Sequence, residues 1–370
     1  MNRLLMYFPE NDLALAAGEA AYTPPPAARL LHAAGEALPL WMCRPGDRFV
    51  CSGINAEWLD RMLRAFRIAD VDVYDHRSVA LEAAPWGWSA ASRKALADAG
   101  YPMAQMPDDA ALEQMRRLSH RRTASMLREA VAARLDFDIA PAAVEASCPD
   151  EVMAFAEAHA ATIAKAPWSS SGRGLVRGRN MPRDAFMAQA VGIIRRQGSV
   201  MLEEEWDKTA DFALLFECDG CGNATYRGIS VFDTNARGGY TANALAPQPE
   251  LWSRIAAMLP EGHLDALASA MARALPEVLE GYRGPLGVDM LVSSHGTIDA
   301  TVELNLRYTM GFVALDFARF LAPGATGTLA VLPRPACAPA PAIIKDGLLA
   351  GGQLDLTPGN PHFAFRATVE

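Results

Sequence analysis

The stretch that most constrains this chain is Thr301-Val-Glu-Leu-Asn-Leu-Arg307. Its polar residues Thr301, Glu303, Asn305 and Arg307 alternate with Val302, Leu304 and Leu306. A period of two belongs to a strand, so the polar side chains share one face and the aliphatic ones the other. Upstream, Asp289 stands between Val288 and Met290, and a turn at Ser293–Gly296 permits a hairpin that sets Asp289 beside Glu303. Two carboxylates and an amide oxygen form a hard-oxygen set suited to Mg²⁺ bridging phosphates. Arg307 offers a planar fork for a phosphate or carboxylate. The same alternation also describes the solvated face of a plain hairpin, and from these residues alone both readings stand.

The chain has 370 residues, of which 51% are apolar and 21% charged, the profile of a globular protein of two or three domains. A net charge of −9 argues against broad binding to nucleic acid or anionic membrane, while leaving room for a local basic pocket. No apolar run reaches the ~18–20 residues of a membrane span. The N-terminal apolar run is broken by Pro9, Glu10 and Asp12, so it reads as a first strand, Leu4–Phe8, and not as a signal peptide. The six cysteines are scattered, which fits reduced thiols in a cytoplasmic protein. Cys218 and Cys221 have no second pair to complete a zinc ribbon, and Asp219-Gly220 between them is a hairpin turn signal.

Residues 1–118 alternate strand and helix signals, which predicts a parallel α/β unit. Its strands are Leu4–Phe8, Phe49–Ser52 and Val71–Tyr74, with a helix over Ala56–Phe66. Asp12 reads as a helix cap in preference to a ligand. Ser119 is a cap candidate, and 119–140 reads as a helix running into a strand-like piece at Arg134–Ile139. Helices are expected over 149–159, 184–197, 249–259 and 264–280, and strands over 161–165, 199–232 and 285–308. Residues 331–370 read as a Pro-rich segment followed by two strands.

Two further pieces suggest chemistry. Lys165 ends a strand and is followed by Ala-Pro-Trp-Ser-Ser-Ser-Gly-Arg-Gly174. Small residues let backbone N–H groups approach an anion, and the lysine adds a charge for a phosphate, although a plain flexible loop has the same composition. Val200–Trp206 runs from an apolar strand into Glu203, Glu204 and Glu205. That is a strand end in solvent, or a hinge whose Glu203 binds an adenine amino group.

In this order, the three pieces resemble the ATP-grasp superfamily. The carriers are Lys165 with Ser169–Gly174, then Glu203, then Asp289, then Glu303, Asn305 and Arg307 as E-x-N-x-R. The stretch Tyr282-Arg-Gly-Pro-Leu-Gly-Val-Asp-Met-Leu is similar to that of biotin carboxylase and its ligase relatives. The resemblance implies an α/β (α+β) chain, with a Rossmann-like pre-ATP-grasp domain at 1–118 and a two-lobed ATP-grasp fold. The small lobe is expected at 119–205 and the metal-bearing lobe at 206–330. It also implies an ATP-dependent carboxylate–amine or carboxylate–thiol ligase working through an acyl phosphate, with peptide or amide bond formation as one form. A phosphotransferase of the same fold and a non-catalytic nucleotide-binding protein are the alternatives.

The implied cofactors are ATP and Mg²⁺, with Mn²⁺ as the substitute cation. Lys165, Ser169, Ser170, Ser171, Gly172, Gly174 and Glu203 would bind the nucleotide, and Arg122 would replace the family's usual phosphate-binding lysine. Asp289, Glu303 and Asn305 would hold metal. Arg307 would steady the acyl phosphate, and Arg237, in a segment placed between strands and helix, would clamp a substrate carboxylate. The partners are small carboxylates and amines, and a homodimer is allowed for.

Overall fold

The computed structural model describes residues 1–76, 81–169, 174–179, 181–235, 238–333 and 338–370. Strands β1 (Asn2–Met6), β2 (Arg48–Val50), β3 (Asp72–Val73) and β4 (Leu81–Pro85) form a parallel sheet in the order β3-β2-β1-β4. Parallel neighbours need long crossovers, and the helices between them supply these. One such helix, Ala56–Ala65, starts where the Asn55 side chain accepts from Trp58 N at 2.9 Å. It buries Trp58, Leu59 and Met62 in the same core as Leu4 and Leu5.

A second, antiparallel sheet comprises β5 (Val144–Ala146), β6 (Thr162–Lys165), β7 (Leu175–Arg177) and β8 (Val200–Glu204), ordered β5-β8-β6-β7. Helices Pro149–Ala158 and Arg183–Gln197 close its small core through Val152, Phe186 and Ile193.

The third sheet has nine strands. They are β9 (Lys208–Asp219), β10 (Ala224–Thr234), β11 (Tyr240–Leu245), β12 (Arg283–Ser293), β13 (Ile298–Asn305), β14 (Gly327–Pro333), β15 (Ile343–Lys345), β16 (Leu348–Asp355) and β17 (Phe363–Val369). Their order is β13-β12-β9-β10-β11-β14-β17-β16-β15. The run Phe212–Phe216 in β9 is apolar throughout because both of its faces are covered. Phe212, Leu214 and Phe216 bury against helix His263–Val278, while Ala213 and Leu215 join the core of the parallel-sheet domain. That domain is stitched to the far strands as well, since Trp41 Nε1 donates to Leu356 O at 2.6 Å. Among the described residues no helix is long and apolar enough to cross a membrane.

Several local expectations change. Arg134–Ile139 is not a strand; Arg134 turns back to Ala130 O and out to Glu277, and pairing resumes at β5. Ser119 closes helix Asp109–Leu118 by donating to Met115 O, so it caps no following helix. The helix Arg122–Ala132 packs with the nine-stranded lobe through Leu127 and Val131. The C-terminal residues supply three strands, all continuing the large sheet. The Cys218–Cys221 segment is a hairpin turn, with the Asp219 side chain accepting from the backbone N–H of Cys221 and Asn223.

One buried ion pair anchors helix Arg122–Ala132 to β13. Arg128 and Asp299 side chains are each 3% exposed and 2.5 Å apart, and Arg128 also donates to Thr301 Oγ1 and to the backbone O of Thr301 and Pro141. Removing one partner leaves a buried charge uncompensated, which costs about 3–5 kcal/mol. Asp299→Ala is expected to lower stability by that amount in urea unfolding, with Arg128→Met/Asp299→Leu recovering most of it.

Candidate functional site

A cavity of about 700 Å³ lies where the three sheets meet. The small antiparallel lobe contributes Ile163, Lys165, Leu175 and the connection Glu203–Lys208. The large sheet contributes Asp289, Glu303 and Asn305, followed by Arg307. The parallel-sheet domain contributes Tyr7, Glu10, Leu13 and Trp86.

The hairpin β12–β13 forms as its alternation predicts, and its register pairs Asp289 directly with Glu303. This face is not a solvated one. Thr301 is buried under Arg128, and Asn305 is 5% exposed. The Asn305 amide donates to Asp289 Oδ2 at 3.0 Å, and its Oδ1 accepts from Arg307 Nη2 at 2.7 Å. Burial and the facing Glu303 carboxylate push Asp289 up from 3.8 to about 8, against the opposing pull of Arg307. A like-charge pair held opposite across a ladder is destabilising unless cations stand close. The donor set of Asp289, Glu303 and Asn305 therefore fits a hard divalent cation. Among the described residues no group of three or more His, Cys, Asp or Glu side chains is arranged around a metal position, so the set is two carboxylates and one amide.

Arg307 is held through all three of its nitrogens, and these bonds leave one Nη1 hydrogen unused. Its Nε lies 3.0 and 2.9 Å from the two Asp12 oxygens, its Nη2 lies 2.6 Å from Asp12 Oδ2, and its Nη1 donates to Tyr308 O at 3.2 Å. Asp12 is thus not a cap; it sits in the first turn of helix Asn11–Ala17 and spans two domains to hold the arginine. Beside it, Asn11 is 1% exposed and neither its amide nitrogen nor its oxygen has a partner. An unsatisfied buried polar group costs about 1–3 kcal/mol.

Lys165, at the end of β6, is 4% exposed, donates to Glu203 Oε2 at 2.7 Å and reaches Val302 O at 3.3 Å. Burial pushes the Glu203 carboxyl up, but Lys165, Arg128 and Arg121 outweigh it and hold it below its usual range. Glu203 is thus the lysine's counter-ion, through its Oε2. Ser169 is 8% exposed and accepts from Arg121 Nη2 at 3.0 Å. Gly174 has φ +69°, and a Cβ there would come within 2.8 Å of Ala166 Cβ, so this position favours glycine. Ser170, Ser171, Gly172 and Arg237 lie outside the described residues. The segment around Arg237 joins β10 to β11, two strands and not a strand and a helix.

Of the arginine pair that contains Arg122, it is Arg121 that lines the cavity. Arg121 donates to Glu303 Oε1 at 2.8 Å and to Ala166 O at 3.0 Å, and it lines the cavity. Arg122 is 55% exposed on its side chain and pairs outward with Glu145 at 2.8 Å. The chain turns at His120–Arg122, where Arg121 N donates to Pro167 O, so the two arginines diverge. Sequence spacing found the pair but could not choose between its members. The Asp12 contact and the Arg128–Asp299 pair had no sequence signal beyond residue type.

No protein-family model matches the sequence, and no curated protein is similar to it in sequence. Solved structures are similar in fold. Biotin carboxylase from Campylobacter jejuni, in its β,γ-ATP complex, aligns over 100% of this chain and 88% of its own, at 12% identity and a TM-score of 0.56. The biotin carboxylase domain of the Hydrogenobacter thermophilus 2-oxoglutarate carboxylase, with MgADP and bicarbonate, covers 100% and 86% at 12% identity and a TM-score of 0.55. N5-carboxyaminoimidazole ribonucleotide synthetase from Thermus thermophilus covers 100% and 93% at 14% identity and a TM-score of 0.50. The chain carries the ATP-grasp fold. The cavity lies between the four-stranded antiparallel sheet β5–β8 and the nine-stranded sheet.

The facing carboxylates generate a measurable consequence. The folded pKa of Asp289 lies above its unfolded value, so between 3.8 and about 8 the native state holds a proton that the unfolded chain has lost. Stability from this group therefore falls as pH rises through that window. Glu303→Gln removes the facing charge, and it is expected to lower the Asp289 pKa in a carboxyl-detected NMR titration and to flatten the fall. An unchanged Asp289 titration would show that the two carboxylates do not interact.

Proposed function

We propose that this protein is an ATP- and Mg²⁺-dependent ligase that activates a small carboxylate as an acyl phosphate and transfers the acyl group to an amine or thiol. The observation that carries this reading is the cavity itself. It sets Lys165 and Arg121 near the Asp289–Glu303 pair, with Arg307 beyond. The fold likeness to nucleotide-bound carboxylases supports it.

On this reading Lys165 and Arg121 neutralise the nucleotide phosphates, and the connection Glu204–Asp207 faces the base. Asp289, Glu303 and Asn305 would hold Mg²⁺, which when bound supplies charge neutralisation for the transferring phosphoryl group. A carboxylate oxygen of the substrate attacks the γ-phosphorus, and ADP leaves with the bridging electron pair. The amine or thiol then attacks the acyl carbon, inorganic phosphate leaves, and the nucleophile loses a proton. Arg307, held rigid by Asp12, steadies the acyl phosphate. The protein's contribution is position and preorganised charge.

ADP release that depends on a carboxylate, with hydroxylamine trapping the acyl phosphate as a hydroxamate, is the direct test; wild-type protein that neither binds Mg-ATP nor turns it over removes the reading. Glu303→Gln is expected to lower turnover by about a hundredfold or more, with the fold intact. Ligand bound only to the native state raises the melting temperature, so Mg-ATP is expected to shift the wild-type curve and Lys165→Ala to lose most of the shift. The arginine pair gives an internal control: Arg121→Ala is expected to weaken kcat/KM for ATP by about tenfold or more, and Arg122→Ala to leave it within about twofold. The reverse order would return the phosphate role to Arg122.

A further inference from the structure

The cavity has an apolar as well as a charged lining. Its apolar walls include Leu13, Leu31 and Trp86 from the parallel-sheet domain, and Phe232, Met310 and Phe363 from the large lobe; Trp86 sits beside Arg307, since Tyr308 N donates to Trp86 O. None of them belongs to the small lobe that carries Lys165, and Leu13 follows directly on Asp12, the partner of Arg307. Trp86 is covered by protein, but Leu13, Leu31, Phe232, Met310 and Phe363 stay partly exposed. Apolar surface that the protein leaves uncovered inside a cleft favours an apolar ligand.

The same cavity holds a buried anion. Glu10 lines the cavity at 4% exposure, with His32 Nδ1 at 2.8 and 3.0 Å from its two oxygens. A carboxylate has about four lone-pair sites, so capacity remains for another donor. Tyr7 stands under the influence of both Glu10 and Arg307: burial and the Glu10 charge push its hydroxyl up, and Arg307 pulls it down. Between Glu10 and Asp12 lies the unpartnered amide of Asn11. A Cβ on Gly87 would meet Asn11 Nδ2 at 2.6 Å and Arg307 Cβ at 2.8 Å, so this amide packs beside the arginine.

We propose that the carboxylate activated in this cavity belongs to an apolar α-amino acid, with its carboxyl group at Arg307, its ammonium group at Glu10 and its side chain in the apolar chamber. This rests on the ligase reading above and narrows its substrate. Bicarbonate, the anion of the Hydrogenobacter structure, would leave the apolar wall bare.

The test is a hydroxylamine-trapped ADP-release assay on the full chain with Mg-ATP. The panel is leucine, methionine, phenylalanine, glycine, aspartate, bicarbonate and 3-phenylpropionate. The apolar amino acids are expected to exceed glycine and aspartate by about tenfold or more in kcat/KM, the order expected from burying several methylenes. Bicarbonate is expected to give no more than basal release, and 3-phenylpropionate, which lacks the ammonium group, to fall about tenfold below phenylalanine. Glu10→Gln is expected to raise KM for phenylalanine about tenfold while kcat stays within about twofold and the Mg-ATP melting shift is kept. Preference for bicarbonate, glycine or aspartate overturns the proposal, as does ATP binding with no stimulation by any member of the panel; equal use of 3-phenylpropionate and phenylalanine overturns the ammonium contact. A wild-type chain that Mg-ATP does not stabilise fails the ligase reading instead, so the two failures are told apart.

Discussion

The centre of this molecule is a repulsion. An antiparallel ladder places Asp289 and Glu303 opposite each other, in a cavity where burial already disfavours charge. Such a pair is tolerated only if cations surround it, and the fold brings them from separate parts of the chain. Arg121 comes from the turn before a helix and meets Glu303. Arg307 follows the strand itself and, through Asn305, reaches the amide that orients Asp289. Asp12, from the first domain, fixes Arg307 in turn. The packing of the parallel-sheet domain against the large sheet is therefore part of the site and not only a support for it.

How much of this was legible in the sequence follows from range. The β12–β13 hairpin and its polar face were legible because alternation is local and its period belongs to a strand. The hairpin at Cys218–Cys221 was legible for the same reason, through its turn residues. Arg134–Ile139 was misread because alternating polarity there has no neighbouring strand to pair with. Asp12 was misread because residues in a first helical turn look alike whether they serve the helix or a partner several hundred residues away. Its partner is Arg307, and nothing in the local pattern announces that contact.

The arginine pair shows the limit most clearly. Spacing locates a basic turn before the small lobe, but the side-chain directions there depend on a tertiary hydrogen bond, Arg121 N to Pro167 O. That bond ties the turn to the very loop that carries Ser169. Arg121 is thereby drawn inward and Arg122 is left to Glu145. A rule based on residue count alone cannot carry this information, because one residue in such a turn reverses the facing of a side chain.

The charges at the site also argue for how a nucleotide would enter. Among the described residues, each basic group on the cavity wall already has an acidic partner: Lys165 has Glu203, Arg121 has Glu303, Arg177 has Glu205, Lys208 has Asp211, and Arg307 has Asp12. A triphosphate arriving there adds several negative charges to a wall whose cations are matched. On the proposed reading, Arg121 can turn to a phosphate only if something else satisfies Glu303, and a divalent cation between Glu303 and Asp289 does that while relieving their mutual repulsion. Cation and nucleotide would then bind with positive coupling, each removing the electrostatic cost that opposes the other. The ion pairs balance the charges of the cavity wall, and on the proposed reading the same pairing would make the metal a condition of nucleotide binding and not an accessory to it.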